Sequence, residues 1–246
     1  SVKIELPVSD GNRLRLGGGY HHQWLNDWWP PVPGSMMMGP DTFINVNGAT
    51  RNRLGLFAEW ESQPVDGLTT LAGLRFDSVR MNTGEVQPYR TGMMQMADVM
   101  AAAAFNAADR KRTDNNISGS LLAGYQASDM VRLELGYAHK VRSPNIYERY
   151  AWGRGAMSSS MIGWYGGGNG YVGNLDLRPE RADTVSASIA LGSATAGWQA
   201  KLSPYYTRVH DYIDARFVKD FTDMMGMPTG FAQLQFANGE AEFYGV

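Results

Sequence analysis

The chain has 246 residues, a formal net charge of −2 and no cysteine. The weak negative charge argues against nucleic acid as a partner. The lack of cysteine excludes disulfides and thiolate metal sites within these residues. No apolar run of about 18 residues occurs, so a transmembrane helix is not expected. The first residues carry no signal-peptide pattern. Because both ends stop within a strand pattern, we expect a piece of a longer protein.

Apolar and polar residues alternate with a period of two along much of the chain, and this pattern predicts β-strands. In 53–60 the even positions are apolar, and in 131–137 the odd positions are apolar. In chain order the pattern predicts about nine strands. They cover 2–6, 13–20, 53–60, 68–76, 115–127, 131–137, 181–193, 197–217 and 231–246.

The connections between these strands alternate between short and long. The short ones are 7–11, 63–67, 128–129 and 193–196. The long ones are 23–50, 82–114 and 143–180, and 219–230 is of middle length. Tight turns at one end and long loops at the other predict an antiparallel up-and-down sheet. Loops of this length are rare in compact soluble domains.

The two faces of the predicted strands differ in a way that favours a membrane barrel. The apolar faces end in aromatic residues at Trp60, Tyr137 and Trp198. An outer-membrane barrel has an apolar outer face, aromatic girdles and a polar lumen. The alternative is a soluble β-rich binding module such as a propeller, although no repeat of propeller length is present. The polar faces carry charges of both signs: Arg53, Glu59, Arg75, Asp77, Arg132 and Glu134.

Gly168, Gly170 and Gly173 match the spacing G-x-G-x-x-G of a dinucleotide-binding turn. Such a turn requires a buried strand before it and a helix after it. Residues 161–165 are not a convincing strand, and Pro179 lies where the helix would continue. The glycines therefore predict a loop with tight bends instead of a nucleotide site.

The stretch 173–180, GNLDLRPE, resembles the G-N-x-x-L-x-P-E motif of TonB-dependent outer-membrane receptors. Upstream, 141–148 resembles the R-x-P-x-x-x-E/Y stretch of that family, and 244–246 resembles its recurrent strand start. The wider stretch 152–180 is most similar to the copper-receptor branch. The residues that carry the motifs are Arg142, Pro144, Tyr147, Glu148, Gly173, Asn174, Leu177, Pro179 and Glu180.

The resemblance implies an all-β transmembrane barrel of about 22 strands with a plug domain in its lumen. Residues 1–246 would form part of that barrel, with long external loops and short periplasmic turns. The plug, and its contact with the TonB complex, would lie outside these residues. The resemblance also implies the outer membrane of a Gram-negative bacterium, contact with its lipid, and uptake of a small ligand or metal ion. No covalently bound cofactor is implied.

Methionines in the predicted long loops suggest copper as the substrate. Thioether sulfur is a soft ligand that suits Cu(I), and imidazole also suits copper. Methionine is equally a flexible apolar filler, so packing remains an alternative at each position. Further loop methionines are Met100, Met224, Met225 and Met227. The candidate metal ligands are His21, His22, Met36, Met37, Met38, Met93, Met94, Met96, Met157 and Met161.

Two other functions compete with copper uptake. An iron chelate such as a siderophore would bind aromatic residues. A hydrolase would need a nucleophile and a base in reach, and Ser143 with His139 is the only close pair in the sequence. Pro144 follows Ser143 and indicates the start of a loop, so we expect no enzyme. The aromatic candidates for a chelate are Trp24, Trp28, Trp29, Trp152, Trp164 and Tyr165.

Overall fold

The computed structural model describes residues 1–89, 96–162, 167–193, 197–223 and 225–246. Within these residues, eleven strands form one sheet and three helices lie between them. The strands are β1 Val2–Ser9, β2 Asn12–Trp29, β3 Phe43–Val65, β4 Leu68–Asn82, β5 Arg112–Ser128, β6 Val131–Arg142, β7 Gly170–Val172, β8 Glu180–Ser193, β9 Trp198–Leu202, β10 Tyr205–Thr222 and β11 Pro228–Gly245. The helices are α1 Met96–Ala107, α2 Ile146–Tyr150 and α3 Ala156–Ser160. None of the described helices has the length and apolar composition needed to cross a bilayer.

The sheet confirms the predicted antiparallel up-and-down order. Strands β1 to β6, β8, β10 and β11 follow one another as antiparallel neighbours. Strands β9 and β10 pair with successive parts of the same neighbour, β8. Together they therefore occupy one strand position in the sheet, which we call the wall. Pro204 lies between them, and proline has no N–H for the ladder. The described part of the wall therefore has nine positions, as predicted. The first and last of them, β1 and β11, do not pair with each other, so the sheet is open.

Short turns lie at one end of the sheet and long loops lie at the other. Gly11 and Gly67 occupy turns with φ of 75° and 80°, a conformation that favours glycine. We call the long connections 30–42, 83–111, 143–179 and 223–227 the rim loops.

The predicted loop bounds and contents were wrong in two places. The first long loop is 30–42 instead of 23–50, because β2 and β3 extend far beyond the alternating segments. The loops predicted without structure hold α1, α2, α3 and the short parallel strand β7, which pairs with β11. These helices and β7 satisfy the backbone polar groups of the loops where the loops pack against the wall.

Outward side chains form an apolar belt across the wall. We define the belt by two rows of cross-strand partners. Leu56 and Leu121 in these rows are more than half exposed, so the belt is not a core. One row is Leu6, Leu14, Trp60, Ala72, Leu121, Tyr137, Val185, Tyr206 and Tyr244. The other is Val2, Gly18, Leu56, Phe76 and Ile117.

The inner face of the wall is polar, and its charges pair with one another. Arg75 Nε donates to Asp77 Oδ2 at 2.6 Å, and Arg132 Nε donates to Glu134 Oε1 at 3.0 Å. Ser188 Oγ also donates to Glu134, at 2.9 Å. This confirms the predicted distribution of apolar and charged side chains over the two faces.

The largest buried cluster lies under the rim loops, where they pack on the inner face of β3 and β4. The Phe43 ring stacks on Trp152 of the third rim loop with centroids 4.9 Å apart. Trp152 Nε1 donates to the Asn45 carbonyl at 3.0 Å. Val79 and Met81 of β4 complete the floor of the cluster. The loops are thus anchored to the wall by a core of their own.

Candidate functional site

Three motif residues meet where β6 enters the third rim loop. Arg142 Nη1 donates to Glu148 Oε2 at 3.0 Å, and its Nε donates to Glu180 Oε2 at 2.5 Å. Glu148 also closes a capping box on α2, because its carboxylate accepts the Asn145 N–H at 2.7 Å. Glu180 Oε1 accepts the Ile213 N–H of β10. One guanidinium thus connects the beginning and the end of a 37-residue loop to the wall.

The other residues of the first motif also have structural contacts. Pro144 is fully buried, and its carbonyl accepts Arg51 Nε at 3.4 Å. Tyr147 donates its hydroxyl to Asp27 Oδ2 at 3.2 Å. Asp27 Oδ2 also accepts Asn45 Nδ2 at 2.7 Å. The motif therefore fixes the loop against β2 and β3.

The segment 173–178, which we call the return segment, is held by backbone contacts. Gly173 N–H donates to the Ala151 carbonyl at 2.5 Å, and Asn174 N–H donates to the Glu148 carbonyl at 2.9 Å. Asn174 Nδ2 reaches the Phe236 carbonyl of β11 at 3.2 Å. Leu177 is buried in a second small core. Pro179 follows at the step into β8, and no helix follows the glycines, which confirms that the dinucleotide match is accidental.

A substitution at Gly173 should loosen the return segment. A Cβ there would lie 2.8 Å from Ala151 N and 2.9 Å from its carbonyl oxygen, and backbone atoms cannot move aside. We expect Gly173→Ala to lower the free energy of unfolding by about 2 kcal/mol. Gly119→Ala is the matched control, because its Cβ would meet only the Gly73 carbonyl at 3.5 Å. Chemical denaturation of the full-length receptor compares the two, and equal stability losses would contradict this account.

A buried ion pair lies beneath the return segment. Arg149 is 1% exposed and donates from Nη2 to Asp114 Oδ1 at 3.0 Å and to the Leu177 carbonyl at 2.8 Å. Its Nη1 lies 3.5 Å from Met81 Sδ. Arg149 Nε and Asp114 Oδ2 are buried without a partner among the described residues. The pair joins α2, β5 and the return segment, and sequence reasoning did not identify it.

A buried carboxylate joins the second and third rim loops. Asp98 Oδ1 accepts the N–H groups of Arg154 and Gly155 at 2.7 and 2.8 Å, and the Ser158 hydroxyl at 2.9 Å. These donors lie at the beginning of α3, where free N–H groups favour a negative charge. Asp98 therefore fixes the orientation of α1. The outer face of α1 carries Met96, Val99 and Met100.

The structure separates the candidate methionines into two groups. Met38 and Met157 pack against the core under the rim loops, so packing accounts for both. Met96 and Met100 are 50% and 67% exposed and share one helical face at a spacing of four residues. Met36, Met37 and Met161 are exposed elsewhere on the rim. Met93 and Met94 lie outside the described residues.

The two candidate histidines lie within β2, which continues past them to Trp29. His21 pairs with Arg53 and His22 pairs with Asn52, so they point to opposite faces of the sheet. His22 Nδ1 lies 2.6 Å from Asn52 Oδ1 on the outer face. Among the described residues, no three His, Asp or Glu side chains are arranged to hold a metal ion. The two imidazoles thus cannot share one ion.

The aromatic candidates also separate. Trp152 is buried, and Trp29 packs on Phe43 with ring centroids 4.8 Å apart. Trp24 and Trp28 are exposed on the outer face of β2. Trp164 and Tyr165 fall outside the part of the chain that the structure describes. None of the four described tryptophans therefore presents a free ring above the lumen.

Two tyrosines of the rim remain neutral donors over a wide pH range. Burial, and then the nearby Asp27 carboxylate, raise the pKa of Tyr147 to about 12. Burial raises the pKa of Tyr150 to about 12, and its hydroxyl donates to the Arg110 carbonyl at 2.8 Å. Both hydrogen bonds keep the third rim loop attached to its neighbours.

The one close serine–histidine pair of the sequence, Ser143 and His139, has other contacts. Ser143 is buried, and its Oγ accepts Asn116 Nδ2 at 2.8 Å. His139 lies on the outer face, with Nδ1 2.8 Å from Asp183 Oδ1. Tyr137 donates to the same Asp183 oxygen at 2.7 Å. No contact within the described residues joins the serine to the histidine, so the pair does not form a catalytic dyad.

A family model described as TonB-dependent receptor-like, β-barrel, matches residues 3–246. The match covers nearly the whole chain and agrees with the open antiparallel wall and its rim loops. This chain belongs to the TonB-dependent receptor β-barrel family. Members of this family are receptors and transporters. No curated protein matches the chain at the sequence level.

Solved receptors of several specificities share the fold of this TonB-dependent receptor wall. The copper transporter OprC is 18% identical, with a TM-score of 0.64 over 96% of this chain and 32% of that one. HasR of Serratia marcescens, solved with its hemophore HasA and heme, is 16% identical, with a TM-score of 0.62 over 99% and 37%. The ferric enterobactin receptor PfeA of Pseudomonas aeruginosa is 18% identical, with a TM-score of 0.59 over 99% and 31%. The chain spans about a third of the length of these structures, and such identities leave the transported metal undetermined.

Proposed function

We propose that this chain forms part of the wall and the ligand-binding rim of an outer-membrane transporter in a Gram-negative bacterium. The apolar belt faces lipid, and the charged inner face lines the lumen. An exposed apolar belt of this extent supports a membrane protein over a soluble β-rich module, since soluble monomers rarely expose large contiguous apolar patches. Uptake draws on the TonB complex through a plug outside these residues and requires no covalent catalysis.

We further propose copper as the transported metal, captured first on the outer face of α1. The observation that supports this is the pair Met96 and Met100, two exposed thioethers one helical turn apart. Side chains four residues apart on a helix are about 5–6 Å apart at Cβ, so both sulfurs can reach one ion. Packing does not account for them, because their helix buries its opposite face through Asp98, Ala102 and Phe105.

Cu(I) titration of the full-length receptor in detergent tests the proposal. We expect saturable Cu(I) binding that persists in excess Zn(II), because thioether sulfur prefers the softer ion. A parallel titration uses a ferric chelate such as ferric enterobactin. Saturable binding of the chelate without any Cu(I) affinity would replace copper with the iron-chelate alternative. A full-length protein that stays soluble without detergent would instead favour the soluble binding module.

A further inference from the structure

A cleft of about 250 Å³ lies between α1 and the return segment, beside the core under the rim loops. Alanines at successive turns of α1 leave this space open, because their side chains end at Cβ. A cavity of about 150 Å³ is enough for benzene, so the cleft can hold a ligand of the size of one apolar amino-acid residue. Its apolar lining is Ala101, Ala104, Phe105, Ala108, Trp152 and Val172.

Three charged side chains line the cleft, and only one of them lacks a counter-charge. The buried Arg149 pairs with Asp114, and Asp176 of the return segment pairs with Arg112. The side chain of Arg154 has no ion-pair or hydrogen-bond partner among the described residues. The cleft therefore carries one uncompensated positive charge, which favours a ligand with a single carboxylate.

The backbone of Arg154 is fixed, although its side chain is free. Asp98 Oδ1 accepts the Arg154 N–H at 2.7 Å, and Gln233 Nε2 donates to the Arg154 carbonyl at 2.6 Å. Asp98 and Gln233 are both buried, so both contacts are shielded from water. The guanidinium is thus carried by a rigid main chain, which reduces the entropy lost when a ligand binds.

Two further polar groups of the cleft are unpaired within the part of the chain that the structure describes. Gln235 donates from Nε2 to the Gly173 carbonyl at 3.3 Å, and its Oε1 accepts no hydrogen bond. Gln235 and Gln233 lie on the same face of β11, two residues and about 7 Å apart, so Gln235 lies near Arg154. The second group is Nε of Arg149, which is buried without an acceptor. The cleft thus offers both donors and an acceptor to a ligand.

We propose that this cleft binds an N-acylated apolar amino acid through its carboxylate. Arg154 contacts the carboxylate, and Gln235 Oε1 accepts the N–H of the acyl amide. The apolar side chain packs against Phe105 and Trp152. A free amino acid fits less well, because its ammonium would be repelled by the unpaired guanidinium. The inference goes beyond the proposed function and does not require copper.

Calorimetric titration of the full-length receptor in detergent tests the inference, with N-acetyl-leucine as the probe. We expect saturable binding of this probe. N-acetyl-leucinamide lacks the carboxylate and leucine lacks the acyl group, so both should bind at least tenfold more weakly. The peptide Ala-Ala-Leu presents the same chemistry at its carboxyl end. Tighter binding of the peptide than of N-acetyl-leucine identifies a peptide as the source of the ligand, and weaker binding identifies a small acylated amino acid.

Substitutions in the cleft locate the bound probe. Arg154→Gln removes the charge and keeps the backbone contacts, so N-acetyl-leucine should bind at least tenfold more weakly. Arg154→Lys keeps the charge and should retain most of the affinity. Ala104→Phe fills the cleft and should abolish binding. Ala103→Phe is the matched control, because Ala103 is exposed on the same helix and does not line the cleft.

Three results would overturn the inference. The first is an unchanged receptor that binds neither N-acetyl-leucine nor Ala-Ala-Leu. The second is equal affinity for N-acetyl-leucine and N-acetyl-leucinamide. The third is binding by Arg154→Gln and Ala104→Phe that is as tight as binding by the Ala103→Phe control. Circular dichroism of each variant checks that it is folded. None of these results affects the copper proposal, which depends on Met96 and Met100.

Discussion

Replacement of Arg149 by methionine is expected to destabilise the receptor more than any other single change considered for this chain. Asp114 would remain buried in β5 without its only ion-pair partner in the described residues, and the Leu177 carbonyl would lose its donor. Removal of one member of a buried pair costs about 3–5 kcal/mol. Thermal or chemical unfolding of the full-length receptor measures the loss. The third rim loop should become sensitive to protease before the wall unfolds.

Two further variants determine whether the buried charge is the cause. Arg132→Met breaks an exposed pair with Glu134, so it should cost less than about 1 kcal/mol. Adding Asp114→Leu to Arg149→Met removes the unpaired carboxylate, and we expect it to restore most of the lost stability. If the double variant is as unstable as the single one, the loss comes from packing and the electrostatic explanation is wrong.

The second large effect is expected at α1. The double variant Met96→Leu, Met100→Leu keeps the apolar volume and the helix but removes two thioether ligands. We expect Cu(I) affinity to fall by about a hundredfold, or about tenfold for each lost sulfur. Competition with a chromophoric Cu(I) chelator measures the affinity. Circular dichroism should show no change, because the substituted side chains are exposed and leucine is an equally good helix former.

Met130→Leu is the control for this effect. Met130 is exposed in the turn between β5 and β6, at the end of the wall opposite the rim loops. Its replacement should leave the Cu(I) affinity unchanged. Equal losses in the control and the double variant would indicate non-specific binding of copper to exposed sulfur. If neither variant loses Cu(I) affinity, α1 does not bind the copper.

The wall was predictable from sequence because each strand of the belt has one apolar and one polar face. The pattern fails on β2 after Tyr20, where His21, His22, Gln23 and Trp24 follow one another. Residues 21–24 are all exposed, so apolar and polar side chains no longer alternate along this part of the strand. The predicted loop therefore began too early. The proline at 204 likewise broke one predicted strand into two hydrogen-bonded pieces.

The rim was less predictable because its contacts join residues far apart in the chain. The motif residues Arg142, Glu148 and Glu180 were found by resemblance, but only the structure shows that they form one ion-pair cluster. In the sequence, Asp98 falls within the predicted long loop 82–114, and no residue pattern indicates its partners. Its actual partners lie more than 50 residues away, at the beginning of α3. Asp211 in a β10 bulge similarly joins Arg178 and Arg181.

The position of bound copper is the most direct test of the proposed function. Crystals of the full-length receptor soaked with Cu(I) should give an anomalous difference peak at the copper absorption edge, between the sulfur atoms of Met96 and Met100 on the outer face of α1. The same soak of the Met96→Leu, Met100→Leu variant should lack that peak. Copper bound only at other sites, with α1 vacant in both crystals, would contradict the account.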